Sequence, residues 1–142
     1  QGLETLPLRM ERHCQNAEKV AEFLNNHDKV MNVIHPSLME GEQKKRADSY
    51  LSGGYGPLVG AEIKGGMESG KKFIDSLKMF YHLANIGDSR SLAIHPASTT
   101  HSQLTEDELN ASGASEGYVR LSIGLEHIDD ILSDLGQALS EV

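Results

Sequence analysis

The run Tyr118-Val119-Arg120-Leu121-Ser122-Ile123-Gly124 alternates apolar and polar residues without a break, and it constrains the fold more than any other stretch of the 142-residue chain. Successive side chains of a strand point to opposite faces, so Val119, Leu121 and Ile123 share one face and Tyr118, Arg120 and Ser122 the other. The first is a core face; the second is a polar floor on which Arg120 is the lone charge. A guanidinium held there presents five donors in a planar fork that matches a carboxylate bidentately. On these residues alone two uses are open to it. It grips an acidic small molecule, or it pairs with one of the 21 Asp and Glu residues of the chain.

Around this strand the remaining pattern predicts an α/β (α+β) domain. Leu3, Leu6, Met10, Cys14, Ala17, Ala21 and Leu24 recur at three- and four-residue steps, which predicts one long helix over residues 3 to 24, stopped by Asn25-Asn26-His27-Asp28. Val30 to Ile34 predicts a short strand ending at His35-Pro36, because proline disfavours helical geometry in the residue before it. Glu42 to Tyr50 reads as a polar surface helix and Leu58 to Ile63 as the next strand, with Gly65-Gly66 turning into a helix over Met67 to Phe80 that buries Phe73, Ile74, Leu77 and Phe80. Gly70 inside that helix weakens it by roughly 1 kcal/mol relative to alanine. Ala84-Asn85-Ile86 and Ser91 to Ile94 read as brief extended segments flanking a turn at Gly87-Asp88. Thr105 and Glu108 fit a capping box for a short helix that Gly113 ends. A last helix starts near Ile128, with Asp129 and Asp130 complementing its dipole and Ile128, Ile131, Leu132, Leu135, Ala138 and Leu139 turned inward. The expected architecture is a single domain, residues 1–142, with a small, mainly antiparallel sheet and helices packed on one face.

The net charge of −8 disfavours nucleic acid and anionic lipid as partners, since binding to either begins with a basic patch. No stretch approaches the run of about 20 apolar residues that a membrane span requires, and no targeting segment is recognisable. The single Cys14 falls on the apolar stripe of the first helix, which suits a small buried hydrophobe in a reducing, cytoplasmic compartment. His95 and His101 lack a second ligand pair, so no metal site is expected; His95-Pro96 reads as a strand end with the imidazole bonded to backbone. Gly53-Gly54-Tyr55-Gly56-Pro57 runs into a strand rather than a helix start, and so reads as a turn rather than a phosphate cradle.

The stretch Leu83-Ala84-Asn85-Ile86-Gly87-Asp88-Ser89-Arg90-Ser91-Leu92-Ala93-Ile94-His95-Pro96-Ala97-Ser98-Thr99-Thr100-His101, followed by Tyr118-Val119-Arg120-Leu121-Ser122-Ile123-Gly124-Leu125-Glu126, resembles the carboxy-terminal part of the cysteine/methionine-metabolism enzymes that use pyridoxal phosphate. Within that family the Ala-Asn-Ile-Gly-Asp and Thr-Thr wording is most like the O-acetylhomoserine sulfhydrylase branch, and the likeness reaches back to Gly2-Leu3-Glu4-Thr5-Leu6-Pro7. The resemblance implies the small carboxy-terminal domain of a fold-type I enzyme. It also implies that the chain, which starts at Gln1 just ahead of a helical pattern, is a fragment without the cofactor domain that precedes it. In the family, the arginine matching Arg120 clamps the α-carboxylate of the amino-acid substrate. The residue matching Asn85, a serine in many relatives, sits beside that carboxylate; Ile86, Gly87 and Ser91 match the same wall, and Thr99 and Thr100 match positions along the substrate channel.

By this resemblance the whole protein replaces the γ-acetoxy group of O-acetylhomoserine with sulfide or a thiol, giving homocysteine or methionine, and assembles as a homotetramer. Cystathionine γ-synthase and methionine γ-lyase are the alternative activities, and a purely structural, oligomer-supporting role is the alternative of another class. The lysine that anchors the cofactor belongs to the preceding domain. No catalytic, cofactor-binding or metal-binding residue is therefore expected within these 142 residues, and the fragment is expected to be inactive alone.

Overall fold

A computed structural model describes residues 1–142, the side chain of Glu106 excepted. The alternating run becomes β5 (Tyr118–Ser122), the middle strand of a five-stranded sheet. Its neighbours are β2 (Leu58–Ile63) on one side and β4 (Leu92–Ile94) on the other, both antiparallel to it. β1 (Val30–Ile34) closes the sheet beyond β2, and the two-residue β3 (Tyr81–His82) lies beyond β4. The order is thus β1-β2-β5-β4-β3, and β3 alone runs parallel to its neighbour. The pairing of β1 with β2 is irregular between Val30 and Asn32, where an extra residue breaks the register.

The alternation of β5 does what its pattern predicts. Val119, Leu121 and Ile123 are fully buried, and with Val59, Ala61 and Ile63 of β2 they form the floor of the core. Three helices cover that floor: α1 (Leu6–Asn25), α3 (Gly66–Ser76) and α5 (Ile128–Ser140). They contribute Ala17, Val20, Ala21 and Leu24, then Phe73 and Ile74, then Ile131, Leu135, Ala138 and Leu139. α2 (Gly41–Tyr50) buries no residue and lies outside the core. α4 (Glu106–Ser112) starts on the expected capping box, in which the Thr105 hydroxyl accepts from the Glu108 amide and the Glu108 carboxylate from the Thr105 amide; Gly113, in the left-handed region, ends it.

Three expectations need correction. Leu3 precedes α1 and is 81% exposed, and the inward stripe of that helix begins at His13; its buried members include the polar His13 and Asn16 as well as Cys14. α3 ends at Ser76 rather than Phe80, because the Asp134 carboxylate of α5 accepts hydrogen bonds from the amides of Lys78 (3.0 Å) and Met79 (2.9 Å) and draws the chain out of helical geometry. Ala84-Asn85-Ile86 is irregular, and the strand of that region is Tyr81–His82 instead.

Gly70, which weakens α3 as a helix, has a packing reason. A Cβ built on it would lie 2.6 Å from Nε2 of His95. Histidine 95 itself ends β4 as expected: it is buried, and its Nε2 is 2.7 Å from the Glu116 carbonyl.

Candidate functional site

The sheet face opposite the helices carries Arg120. Cross-strand register sets its surroundings: Gly60 of β2 lies directly opposite on one side and Ile94 of β4 on the other. Gly60 contributes no side chain, and the ring of Tyr118 packs over it. Arg120 is half-buried and opens into a cleft of about 370 Å³, whose walls include Ala84, Ile94, Pro96, Thr100, His101 and Tyr118. Among the described residues Arg120 makes no ion pair with a carboxylate of the chain. A positive charge partly withdrawn from water and left unmatched by protein is suited to an anionic ligand, because the low local dielectric strengthens a charge-assisted hydrogen bond.

The other residues singled out from the sequence fall into two groups. Thr100 shares the cleft with Arg120, its hydroxyl 2.8 Å from Nδ1 of His101. Asn85, Ile86 and Gly87 follow Ala84, which lines the cleft, on an exposed or half-exposed loop. The Asn85 side-chain oxygen accepts from the Ile86 amide at 2.8 Å, so both hydrogens of its carboxamide remain available to a ligand. Thr99 and Ser91 do not line the cleft. The Thr99 hydroxyl donates to the His95 carbonyl at 2.8 Å.

Ser91 is fully buried, and its amide and hydroxyl donate to the two carboxylate oxygens of Glu126 at 2.6 Å and 2.9 Å. Its hydroxyl oxygen also accepts from the Gly124 amide at 2.9 Å. Asn16 of α1 completes the knot by donating to the carbonyls of Gly124 and Glu126, both at 3.0 Å. The loop bearing Asn85 is in this way tied to the segment that follows β5, and through it to α1.

Sequence reasoning placed Tyr118 on the polar face without giving it a task. The structure makes it a wall of the cleft, half-buried beside Arg120. Burial pushes its phenol above the ordinary 10.0, and the positive charge of Arg120 acts in the opposite direction. Cys14, buried, takes the Gly56 amide on its sulfur at 3.3 Å, and Gly54 packs against its side chain. That contact explains the glycine-rich loop as a packing turn. Among the described residues no helix is long and apolar enough to cross a membrane.

Comparison with known proteins places the chain in a family. Residues 1–140 match the family described as Cys/Met metabolism PLP-dependent enzyme. An O-acetyl-L-homoserine sulfhydrylase of Leptospira meyeri is 58% identical over 143 residues, covering 100% of this chain and 32% of that protein. An L-methionine gamma-lyase of Fusobacterium nucleatum subsp. polymorphum is 43% identical, covering 99% of this chain and 35% of that protein. A crystal structure described as an O-acetylhomoserine (thiol)-lyase of Campylobacter jejuni, with N'-pyridoxyl-lysine-5'-monophosphate, superposes with a TM-score of 0.91 at 46% identity, covering 99% of this chain and 33% of that one. The chain spans about a third of the length of the relatives it matches.

Proposed function

The chain belongs to the Cys/Met metabolism PLP-dependent enzyme family, and on that premise we propose that it is the carboxy-terminal domain that holds the substrate's α-carboxylate in an O-acetylhomoserine sulfhydrylase. The observation that carries the reading is the half-buried Arg120 guanidinium, free of any carboxylate among the described residues and facing a cleft. Its planar fork takes both oxygens of the carboxylate, and the free carboxamide hydrogens of Asn85 and the hydroxyl of Thr100 offer further donors at the rim. Two parallel bonds fix the carboxylate plane as well as its position, so the reacting end of the substrate is oriented rather than merely retained. The acid bound is O-acetylhomoserine, in keeping with the Leptospira relative, and the whole protein exchanges its acetoxy group for sulfide or a thiol. Such a protein works as a homotetramer in the cytoplasm.

The family's cofactor supplies the electron sink for chemistry at the amino-acid α carbon. The residues present here do not fit it. None of the eight lysines lines the Arg120 cleft. Lys44 is engaged by Asp48 and Tyr55, Lys45 by Glu42 and Lys71 by Glu68, while Lys29 and Lys64 donate to the carbonyls of Val142 and Asp28. The cofactor and its anchoring lysine accordingly belong to a preceding domain, and residues 1–142 alone are inactive.

The test is steady-state kinetics of the full-length protein with O-acetylhomoserine and sulfide. Arg120→Ala removes a charge-assisted pair worth about 1.5–3 kcal/mol, and so raises KM by roughly ten- to a hundredfold while the melting temperature stays near that of the parent. A purely structural domain would show the reverse, a lowered melting temperature with KM unchanged. Parallel assays with O-succinylhomoserine plus cysteine, and with methionine alone, separate this activity from cystathionine γ-synthase and methionine γ-lyase.

A further inference from the structure

Glu62 is a carboxylate placed where it could silence Arg120. It sits on β2 two residues from Gly60, on the same face of the sheet, and is the direct cross-strand partner of Tyr118, as Gly60 is of Arg120. Glu62 and Arg120 are therefore diagonal neighbours, with about 7–8 Å between such positions, a span that long side chains cross easily. Yet no Glu62–Arg120 ion pair is present among the described residues.

The Tyr118 ring lies along the other diagonal, toward Gly60. It is laid over Gly60 so closely that a Cβ built there would come within 2.6 Å of the phenolic oxygen, 2.7 Å of Cε2 and 3.0 Å of Cζ. Gly60 does not have a positive φ, so the need for glycine is steric rather than conformational. Tyr118 lines two separate hollows: the Arg120 cleft on one side and, on the other, a smaller cavity of about 160 Å³ bordered by Asn32, Ile34 and Glu62. Of these two hollows, Glu62 lines the second and Arg120 the first.

We propose that Tyr118, seated on Gly60, is a partition that keeps Glu62 from neutralising Arg120, so that the guanidinium stays available to the substrate's carboxylate. Tyr118 and Gly60 are then positioning residues. They touch neither the reacting bonds nor the ligand's charge; they decide what Arg120 is able to pair with. This inference rests on the carboxylate-binding role of Arg120 given above.

The experiment is a cycle of variants in the full-length protein, read as KM for O-acetylhomoserine against kcat, with melting temperatures recorded throughout. Tyr118→Ala opens the diagonal and raises KM by roughly three- to tenfold with a smaller change in kcat, because Glu62 competes with the substrate for the guanidinium. Glu62→Gln alone leaves KM within about twofold, and in the Tyr118→Ala background it restores most of the loss, a coupling that repacking by itself would not produce. Tyr118→Phe, which keeps the ring over Gly60, raises KM less than Tyr118→Ala does, and Glu62→Gln brings no rescue in that background. Should Tyr118→Ala fail to fold, Tyr118→Leu preserves apolar bulk in the strand without reaching over Gly60, and the same rescue by Glu62→Gln is expected. Failure of Glu62→Gln to restore KM, or a loss in Tyr118→Phe equal to that in Tyr118→Ala, overturns the partition. An unchanged KM in Arg120→Ala overturns the underlying carboxylate site instead, so the two failures are told apart.

Discussion

Gly70 of α3 and His95 at the end of β4 are packed so tightly that a single methyl group on the glycine would stand 2.6 Å from the imidazole Nε2. Two effects of opposite sign meet there. Alanine at position 70 improves the helix by roughly 1 kcal/mol, while overpacking a filled site costs about 1–3 kcal/mol. The imidazole has little room to retreat, because Nε2 is bonded to the Glu116 carbonyl and Nδ1 lies 2.8 Å from the Ser98 hydroxyl. Gly70→Ala is therefore expected to lower stability, against its helix propensity, and a denaturant titration shows this as a reduced midpoint.

The Ser91–Glu126 clamp makes a second prediction. Both carboxylate oxygens of Glu126 accept from Ser91, so Glu126→Gln turns an NH₂ group toward a donor and leaves one bond unmade. The expected loss is about 1–3 kcal/mol. Hydrogen exchange at the Ser91 amide should accelerate in the variant; an unchanged exchange rate would show that the clamp does not hold that loop.

A third concerns pH. Burial holds the His95 imidazole below its ordinary 6.5, partly opposed by its bond to the Glu116 carbonyl, with Lys71 and His82 adding to the depression. Burial likewise lowers His35, against raising contributions from the Gly56 backbone and the Glu18 carboxylate. A histidine whose folded value is depressed binds its proton more readily when unfolded, so stability rises with pH across the interval between the two values. These two residues favour the fold fully above 6.5, and that contribution is lost progressively as pH falls below it toward the folded values. Melting temperatures recorded from about pH 7.5 down to about pH 5 should decline, and the decline should be shallower in His95→Gln.

Much of the fold was legible because its signals are local. The bounds of β1 and β2 follow from short apolar runs closed by proline or glycine, β5 from alternation, and α5 from its apolar spacing and acidic first turn. What was not legible depends on distant partners. The stop of α3 is an aspartate 55 residues away from the amide it binds, and β3 has only two residues, too few for any periodicity. The same division runs through the site. Arg120 announces itself as a lone cation in an apolar strand, whereas the burial of Ser91 depends on Glu126, 35 residues further on. The seat of Tyr118 needed the register of β2 against β5, which places a glycine under its ring.

The broken register of β1 governs what the open border of the sheet can become. Met31 and Ile34 on that strand are 61% and 45% exposed, which would make a straight outer strand adhesive toward another molecule's backbone. With the extra residue between Val30 and Asn32, the strand bends and twists early, so its outward amides and carbonyls do not form one even row. Fibril-like stacking is discouraged by the shape of the backbone itself.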